Sequence, residues 1–466
     1  MAIFLEKFYP SFPVWAQNFG ISCYGLLYHR ERFGGSFQKY VREFSERDHS
    51  DRLSFDQYVN SQLRKIITHA FKNVPYYRAK WKEIGISEND FGEITYKNLC
   101  KLPITDKMQL RMHSKMFLAE NRKIAHSYST SGSTGTPLTC HYGVEDHRKF
   151  IAAREVRSAG WAASTLRGSR AMIGGRLVVP RASSEPPFYR YNWVEKQVYF
   201  SAFHISPKNA KNYLDGFNRY KPELLTGYAH SYYLLAKMLA NQNMSLDYEP
   251  TAAVLGSEKL TPEMKEIIHK VFRTRIYEEY GAVENSVLAT ECEKGQLHVS
   301  LDFGILEIVD EKGLPLPPGK EGRIICTGLI NETQPLIRYE IGDSGTWSSE
   351  NCDCGRNHFP VLREILGRTE DVVTGIDGRQ MVRFHGIFVD LKHVLEGQVI
   401  QEKPNEFRVR VVTTPDFNKQ EENIIKKRFF DRLGNVNIII EKVSLIERTE
   451  RGKFRAVISR VRNHGF

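Results

Sequence analysis

The chain has no G-x-x-x-x-G-K-[ST] run anywhere in its 466 residues, which excludes the phosphate loop of P-loop NTPases. It has no long apolar run either. Its most hydrophobic stretch, Phe12 to Tyr28, is interrupted by Gln17, Asn18 and Gly20, and is too short and polar to span a bilayer. A helix that packs on the body, or that touches a membrane surface, is expected there. No cleavable signal is read at the start, because Met1 to Lys7 already contains Glu6 with no apolar core after it. Cysteines are few, odd in number and unevenly placed, seven in all, so no disulfide framework is expected and the protein reads as cytoplasmic. Nucleic-acid-binding motifs, internal repeats and low-complexity tracts are all missing, and no nucleic-acid partner is expected.

What is present is ordinary globular composition, 41% hydrophobic and 12% aromatic, with enough chain for two or more domains. The net charge of +11 favours polyanionic partners such as nucleotides, coenzyme A or an anionic surface. Its densest arginine-rich stretch holds Arg167, Arg170, Arg176, Arg181 and Arg190, with few acids between them. That stretch reads as a solvated face or as a contact for an anionic partner.

The segment Tyr128 to Pro137 reads YSTSGSTGTP. Ser129, Thr130, Ser131, Ser133, Thr134 and Thr136 alternate with Gly132 and Gly135. Glycines let backbone N–H groups turn towards an anion, and hydroxyls add donors, so the loop suits a phosphate. In isolation the same composition also describes a flexible linker.

Periodicity predicts an amphipathic helix from Ser54 that stops at Pro75, and another over Asp146 to Ala163. Ala252 to Leu255 reads as a buried strand, and Thr261-Pro262 as a capped helix start. Arg275 to Glu279 reads as a strand running into Tyr280-Gly281. Gly304 to Asp310 and Gly322 to Leu329 read as a hairpin. Later, Glu406 to Val412 and Val436 to Ile440 read as strands around a helix at Asn418 to Leu433. The expected fold class is α/β: a large N-terminal domain, 1–366, of mixed sheets with helices and a β-rich subdomain, opened by a helical extension of about fifty residues. A boundary at 367–373 then leads to a small α+β C-terminal domain, 374–466.

YSTSGSTGTP, EYGAVEN from Glu279, IRYEIGDSG from Ile337, GRTEDVV from Gly367 and RTERGKFR from Arg448 occur in that order. Together they resemble the adenylate-forming superfamily, and more narrowly its phenylacetate–coenzyme A ligase branch. The N-terminal stretch and the C-terminal module look like the capsular-polysaccharide relatives of that branch. The resemblance covers about Phe55 to Val461. It implies ATP and Mg²⁺ as cofactors, a small-molecule carboxylic acid as substrate, and a C-terminal domain that swings on 367–373.

Residue by residue, the resemblance implies that Ser129 to Gly135, with Thr134 counted among the catalytic groups, wraps the phosphates. Glu284 would hold Mg²⁺, Tyr280 with Gly281 would stack on adenine, and Gly256, Ser257 and Glu258 would line its other side. Asp343 would accept both ribose hydroxyls, Arg368 would reach the ribose or phosphate, and Lys453 would stabilise charge at the α-phosphate. His204 and Tyr228 stand where the family binds its acid, each with a polar tip on an apolar body. Phe200, in the same region, reads as core.

Cys292 and His298 flank one short turn, and Cys352 and Cys354 another. Two such pairs supply the ligands of a tetrahedral Zn²⁺ site, and members of the resembled branch look similar at both places. Four unbound residues is the other reading, since the second pair is C-x-C. Cys23, Cys100 and Cys140 read as ordinary core or surface residues.

Two departures bear on the acceptor. The hinge position carries Glu370 where the family usually has Asp or Lys. Residues 383–389, RFHGIFV, do not match the R-G-x-N-x-x-P segment of the branch's coenzyme A ligases. The acceptor is therefore expected to be either coenzyme A or an amine or sugar of a glycan precursor.

Overall fold

The computed structural model describes residues 9–129, 138–180, 183, 185–206, 208–257, 260–366, 373–375, 380–381, 385–388, 391, 393–413, 415–444, 446 and 457–461. The chain opens on helices. They are α1 (Val14–Phe33), α2 (Phe37–Asp48), α3 (Arg52–Asn73), α4 (Pro75–Glu83) and the short α5 (Lys107–Met112). Pro75 does not simply end a helix. Val74 is the last cap of α3 and the first of α4, and Pro75 takes the first turn of α4, where its missing N–H costs nothing.

A two-stranded ribbon, β1 (His126–Ser129) with β2 (Thr139–Tyr142), brackets the Ser/Gly/Thr loop. The helix expected at Asp146 starts two residues earlier as α6 (Val144–Arg154), because the Asp146 carboxylate accepts from the Gly143 N–H. It then widens into a π turn at Glu155–Ala159.

One large sheet carries the rest of the N-terminal part. Its strands are β3 (Arg170–Gly174), β4 (Tyr189–Asn192), β5 (Gln197–Ser201), β6 (Leu224–Tyr228), β7 (Ala252–Gly256), β8 (Ile276–Gly281), β9 (Leu288–Glu291), β10 (Leu297–Val299), β11 (Gly304–Val309), β12 (Glu321–Gly328), β13 (Tyr339–Trp347) and β14 (Val361–Leu366). Across the sheet the order is β11-β12-β13-β14-β10-β9-β8-β7-β6-β3-β5-β4. The run β8-β7-β6-β3-β5 is parallel. Helices α7 (Ala210–Tyr220), α8 (Ala229–Asn241) and α9 (Pro262–Phe272) connect its strands, as parallel strands require. From β9 onwards every pairing is antiparallel. The β-rich part thus continues the same sheet through the β8–β9 pair.

The parallel half packs on one apolar cluster, with Ile173, Val198, Leu225, Ala253, Leu255, Phe217, Leu235 and Phe272 fully buried. The antiparallel half packs against α3 and α4 through Leu63, Ile67, Tyr77 and Trp81.

A separate four-stranded sheet follows, with strands β15 (Val394–Lys403), β16 (Glu406–Thr413), β17 (Asn437–Lys442) and β18 (Val457–Ser459). Its order is β17-β16-β15-β18. The helix Lys419–Leu433 covers it, burying Ile425, Phe429 and Leu433 against Val399, Phe407, Val409 and Val411.

The arginine-rich stretch is not a uniformly solvated face. Arg170 and Arg190 are each only 4% exposed, while Arg167 reaches Glu155 at 3.2 Å from the surface. The alternation with apolar residues that buries them belongs to β3 and β4, which were not read as strands from the sequence.

Candidate functional site

Strands β6, β7 and β8 end side by side, with Tyr228 in register with Gly256 and Gly256 with Glu279. Glycine is needed where they meet. At Gly227, φ is +124° and a Cβ would lie 2.0 Å from the Ile173 carbonyl oxygen; at Gly256 it would lie 2.3 Å from that of Glu279. Ser257 then turns the chain out with a φ of +72°. The carboxyl ends of parallel strands form the crevice where α/β folds bind ligands. Tyr228, Gly256, Ser257, Tyr280 and Gly281 are all brought there.

Two hydroxyl–carboxylate bonds tie the segment 280–284 to β13. The Tyr280 hydroxyl donates to Asp343 Oδ2 at 2.9 Å, and the Tyr339 hydroxyl donates back to Glu284 Oε1 at 3.2 Å. Gly342, with φ at +91°, presents Asp343 at this point. Glu284 is only 4% exposed, and Lys107 Nζ at the start of α5 stands 3.5 Å from its Oε1. The Tyr142 hydroxyl donates to the Val283 carbonyl, which fixes the turn carrying Glu284. Arg154 holds Glu279 with two bonds, 2.9 and 2.8 Å, at the end of β8.

Cys140 and Cys326 are buried beside these carboxylates. Burial, reinforced by the Glu284 charge at Cys140 and by the Asp343 and Glu284 charges at Cys326, pushes both thiols well up. Glu284 is a buried carboxylate of the kind that holds Mg²⁺ together with phosphate oxygens, and the Lys107 ammonium now beside it would give way to the metal. Sequence reasoning missed Lys107 and Tyr339. Tyr339 lies inside the quoted IRYEIGDSG motif, whereas Lys107 carries only the weak signal of following the Asp106 cap.

Ser129 closes β1, its hydroxyl 3.3 Å from that of Thr139. Thr130, Ser131, Gly132, Ser133, Thr134, Gly135, Glu258, Arg368, Glu370 and Lys453 lie outside the described residues. His204 belongs to a packed aromatic cluster. Its Nδ1 is 2.7 Å from the Ser201 hydroxyl and its ring stacks on Phe188 at 4.8 Å. Phe200 is likewise core, stacked on Phe217 at 4.1 Å.

Cys292, His298, Cys352 and Cys354 converge, with one potential ligand atom from each lying within 4.8 Å of all the others. The Cys292 and Cys352 sulfurs are 3.6 Å apart, and Cys354 Sγ is 3.3 Å from His298 Nε2. Two thiolates on one tetrahedral Zn²⁺ would stand about 3.8 Å apart, given Zn–S bonds of about 2.3 Å. His298 Nδ1 lies 3.1 Å from the Phe359 carbonyl oxygen. That carbonyl selects the tautomer whose Nε2 lone pair points into the cluster, the second-layer arrangement of metal-binding histidines. The donor set therefore suits zinc, and it pins the β9–β10 turn to the loop before β14.

Comparison with known proteins follows the same outline. The model of the CapK C-terminal domain matches residues 377–460. Protein CapK of Staphylococcus aureus is 26% identical over 98% of this chain and 100% of its own length. A phenylacetate–coenzyme A ligase of Thermus thermophilus is 26% identical over 67% of this chain and 70% of its own length. Among solved structures, 2-hydroxyisobutyryl-CoA ligase in complex with 2-HIB-AMP and CoA shares the fold with a TM-score of 0.57, at 19% identity over 89% of this chain and 91% of that one. These likenesses make the chain an adenylate-forming enzyme that is similar to the phenylacetate–coenzyme A ligase-like branch.

Proposed function

We propose that this enzyme activates a carboxylic acid with ATP as its acyl-adenylate and passes the acyl group to coenzyme A. The observation that carries this is the pair of crossed bonds, Tyr280 to Asp343 and Tyr339 to Glu284, which fixes two carboxylates beside the ends of the parallel strands. Asp343 is suited to accept the ribose hydroxyls once Tyr280 turns its ring to the adenine, with Gly256, Ser257, Glu258 and Gly281 around the base. Glu284 would hold Mg²⁺, which screens the triphosphate from an incoming carboxylate. Ser129 to Gly135, with Thr134, would donate to the phosphates, and Arg368 would reach the ribose or phosphate.

An oxygen of the substrate carboxylate attacks the α-phosphorus, and the bond from that phosphorus to the bridging oxygen of the β-phosphate breaks. Pyrophosphate leaves with the electron pair. Lys453 would stabilise the charge that gathers at the α-phosphate. The module beyond 367–373 would then rotate, exchanging Lys453 for an acceptor face. Tyr228 would line the acid pocket, while His204 would act on it only through the aromatic cluster that holds it. Zn²⁺ on the Cys/His cluster would be structural. Cytoplasmic placement belongs to this reading; among the described residues no helix is long and apolar enough to cross a membrane.

A second reading passes the acyl group to an amine or hydroxyl of a surface-glycan precursor. It is favoured by residues 383–389, which lack the coenzyme A ligase segment, and by the match of 377–460 to the CapK C-terminal domain. Pyrophosphate release from ATP–Mg²⁺ across aryl acetates, benzoates, fatty acids, amino acids and uronates, with and without coenzyme A, tests both. Turnover that requires coenzyme A supports the thioester ligase. An acid that stalls at the adenylate with coenzyme A present favours the second reading. No release with any acid, in a protein that binds ATP, overturns both.

A further inference from the structure

Beside the crevice lies a cluster of positive charge that the adenylation chemistry does not use. Glu195 is buried, and Arg32 of α1 pairs with it. Arg170 Nη2 is 3.5 Å from the same carboxylate, and the Tyr199 hydroxyl donates to it at 3.2 Å. Arg176 Nη1 donates in turn to that hydroxyl at 3.3 Å. Arg176 has no carboxylate partner among the described residues; its guanidinium stands 5.4 Å from the Tyr199 ring centre and 5.8 Å from that of Tyr28. Arg32 and Arg170 therefore share one carboxylate, which Arg176 reaches only through the Tyr199 hydroxyl.

The neighbouring His147 carries no charge of its own. Burial, helped by His126, Arg32 and Arg176, pushes His147 down to about 3, so it is neutral. Its Nδ1 is buried without a hydrogen-bond partner. Two buried arginines on one carboxylate leave positive charge in excess, which favours an anion placed beside them. Arg176 is exposed, whereas Arg32 and Arg170 are buried.

The cluster is joined to the crevice by contacts on two sides. Gly175, the residue before Arg176, lies against Tyr228, whose hydroxyl would be 2.7 Å from a Cβ placed there. The Tyr28 hydroxyl is 2.9 Å from that of Tyr128, which immediately precedes Ser129. Tyr128 packs on Tyr142 with ring centres 5.8 Å apart, and Tyr142 donates to Val283, next to Glu284. Arg176 thus stands at the far end of an aromatic wall whose near end is the metal-binding turn.

We infer that the acid this enzyme activates carries a second anionic group, a carboxylate or a phosphate, which Arg176 holds with Arg32 and Arg170 behind it. The inference rests on the adenylation reading and names its substrate class. The apolar and aromatic wall takes the spacer between the two anions, and the carboxyl at the loop end is the one that reacts. A monocarboxylate of the same length leaves Arg176 unpaired, so its transition state is bound less well.

The test compares acids that differ by one carboxylate: phenylacetate with 4-carboxyphenylacetate, and valerate with glutarate, with phosphate-bearing acids of similar length as a further arm. The readouts are ATP–pyrophosphate exchange and thermal stabilisation of the full-length protein, for wild type, Arg176→Met and Arg176→Lys. One charge-assisted contact corresponds to a preference of about tenfold or more in kcat/KM for the dianion. That preference is expected to collapse towards one in Arg176→Met and to be partly kept in Arg176→Lys, with the KM for ATP unchanged.

Equal or better use of the monoanions by wild type overturns the inference, as does the same preference in Arg176→Met. A rise in KM for ATP in Arg176→Met assigns the arginine to the nucleotide and also overturns it. If no acid drives exchange, the adenylation reading fails on its own and the binding arm decides. Stabilisation by glutarate or 4-carboxyphenylacetate that Arg176→Met abolishes supports an anion site, and its absence from wild type overturns one.

Discussion

Asp302 is a fully buried carboxylate, which burial alone would push towards the neutral acid. Arg157 and Arg47 reverse that and hold it down to about 2. Arg157 Nη1 and Nη2 lie 2.6 and 3.0 Å from its two oxygens, and Arg157 Nε reaches Asp48 at 2.9 Å. Because the folded pKa is depressed, the contribution is complete above the unfolded value of about 3.9 and is lost as pH falls towards 2. Asp302→Asn leaves two buried guanidinium groups short of charge and is expected to cost about 3–5 kcal/mol. Urea unfolding at pH 7 measures this, and the gap between variant and wild type should narrow as pH falls from about 4 towards 2. At the proposed nucleotide site, Asp343→Asn keeps the shape but replaces one acceptor oxygen with a donor. The KM for ATP is expected to rise about 10- to 100-fold, the worth of one hydrogen bond to a charged group, with the melting temperature little changed. Initial rates against ATP concentration show it, and an unchanged KM would remove Asp343 from the ribose.

At the scale of elements, α1 reverses the usual polarity of a surface helix. Trp15 is 70% exposed, Phe19 60%, Leu26 62% and Leu27 68%, whereas Gln17, Ser22 and Arg32 are buried. The polar side chains face the body because the β4 region offers unpaired groups there. Asn18 accepts from the Tyr191 N–H at 3.0 Å, and Ser22 accepts from the Trp193 N–H at 3.0 Å. The helix itself was legible as an apolar stretch that packs on the body. Its orientation was not, since apolar pattern ordinarily points inward. Phe19→Glu and Leu26→Glu are expected to shift stability by no more than about 0.5 kcal/mol, because neither side chain packs on the body. Gly256→Ala in β7 drives a Cβ into backbone instead, and about 1–3 kcal/mol of destabilisation is expected in the same denaturation assay. The Cys/His knot makes its own prediction. Elemental analysis should find one zinc per chain, and Cys354→Ser or prolonged chelation should lower the melting temperature; a zinc-free protein with an unchanged melt would leave the four residues structural on their own.

For the whole molecule, the local signals that were legible are those written in a few consecutive residues. The Thr261 cap, whose hydroxyl accepts from the Met264 N–H at 3.3 Å, is one, and the β11–β12 hairpin is another. The continuous twelve-stranded order was not legible, because β13 and β14 sit between β12 and β10 by long-range pairing that no window of sequence encodes. The residues proposed for the site were named by type and spacing. Lys107 and Tyr28 were not, and Arg176 only as one of an arginine-rich stretch, since each acquires its meaning from neighbours far along the chain. Lys453→Ala is expected to lower pyrophosphate exchange about 10²- to 10³-fold while the thermal melt stays as in wild type; exchange near the wild-type rate would remove Lys453 from the first half-reaction. The placement of Tyr28 and Arg32 on α1 has a further bearing on how such an enzyme can diversify. These two side chains reach the anion cluster from a helix that precedes the sheet, not from the turn that holds Glu284 or the strand that holds Asp343. On the proposed reading, part of the selectivity for the acid is carried on a stretch of chain apart from the nucleotide residues. Exchanging residues 14–33 for those of a relative would change what backs Arg176 and leave the nucleotide residues as they were, a modular route to tuning the substrate that a pocket cut wholly from strands does not offer.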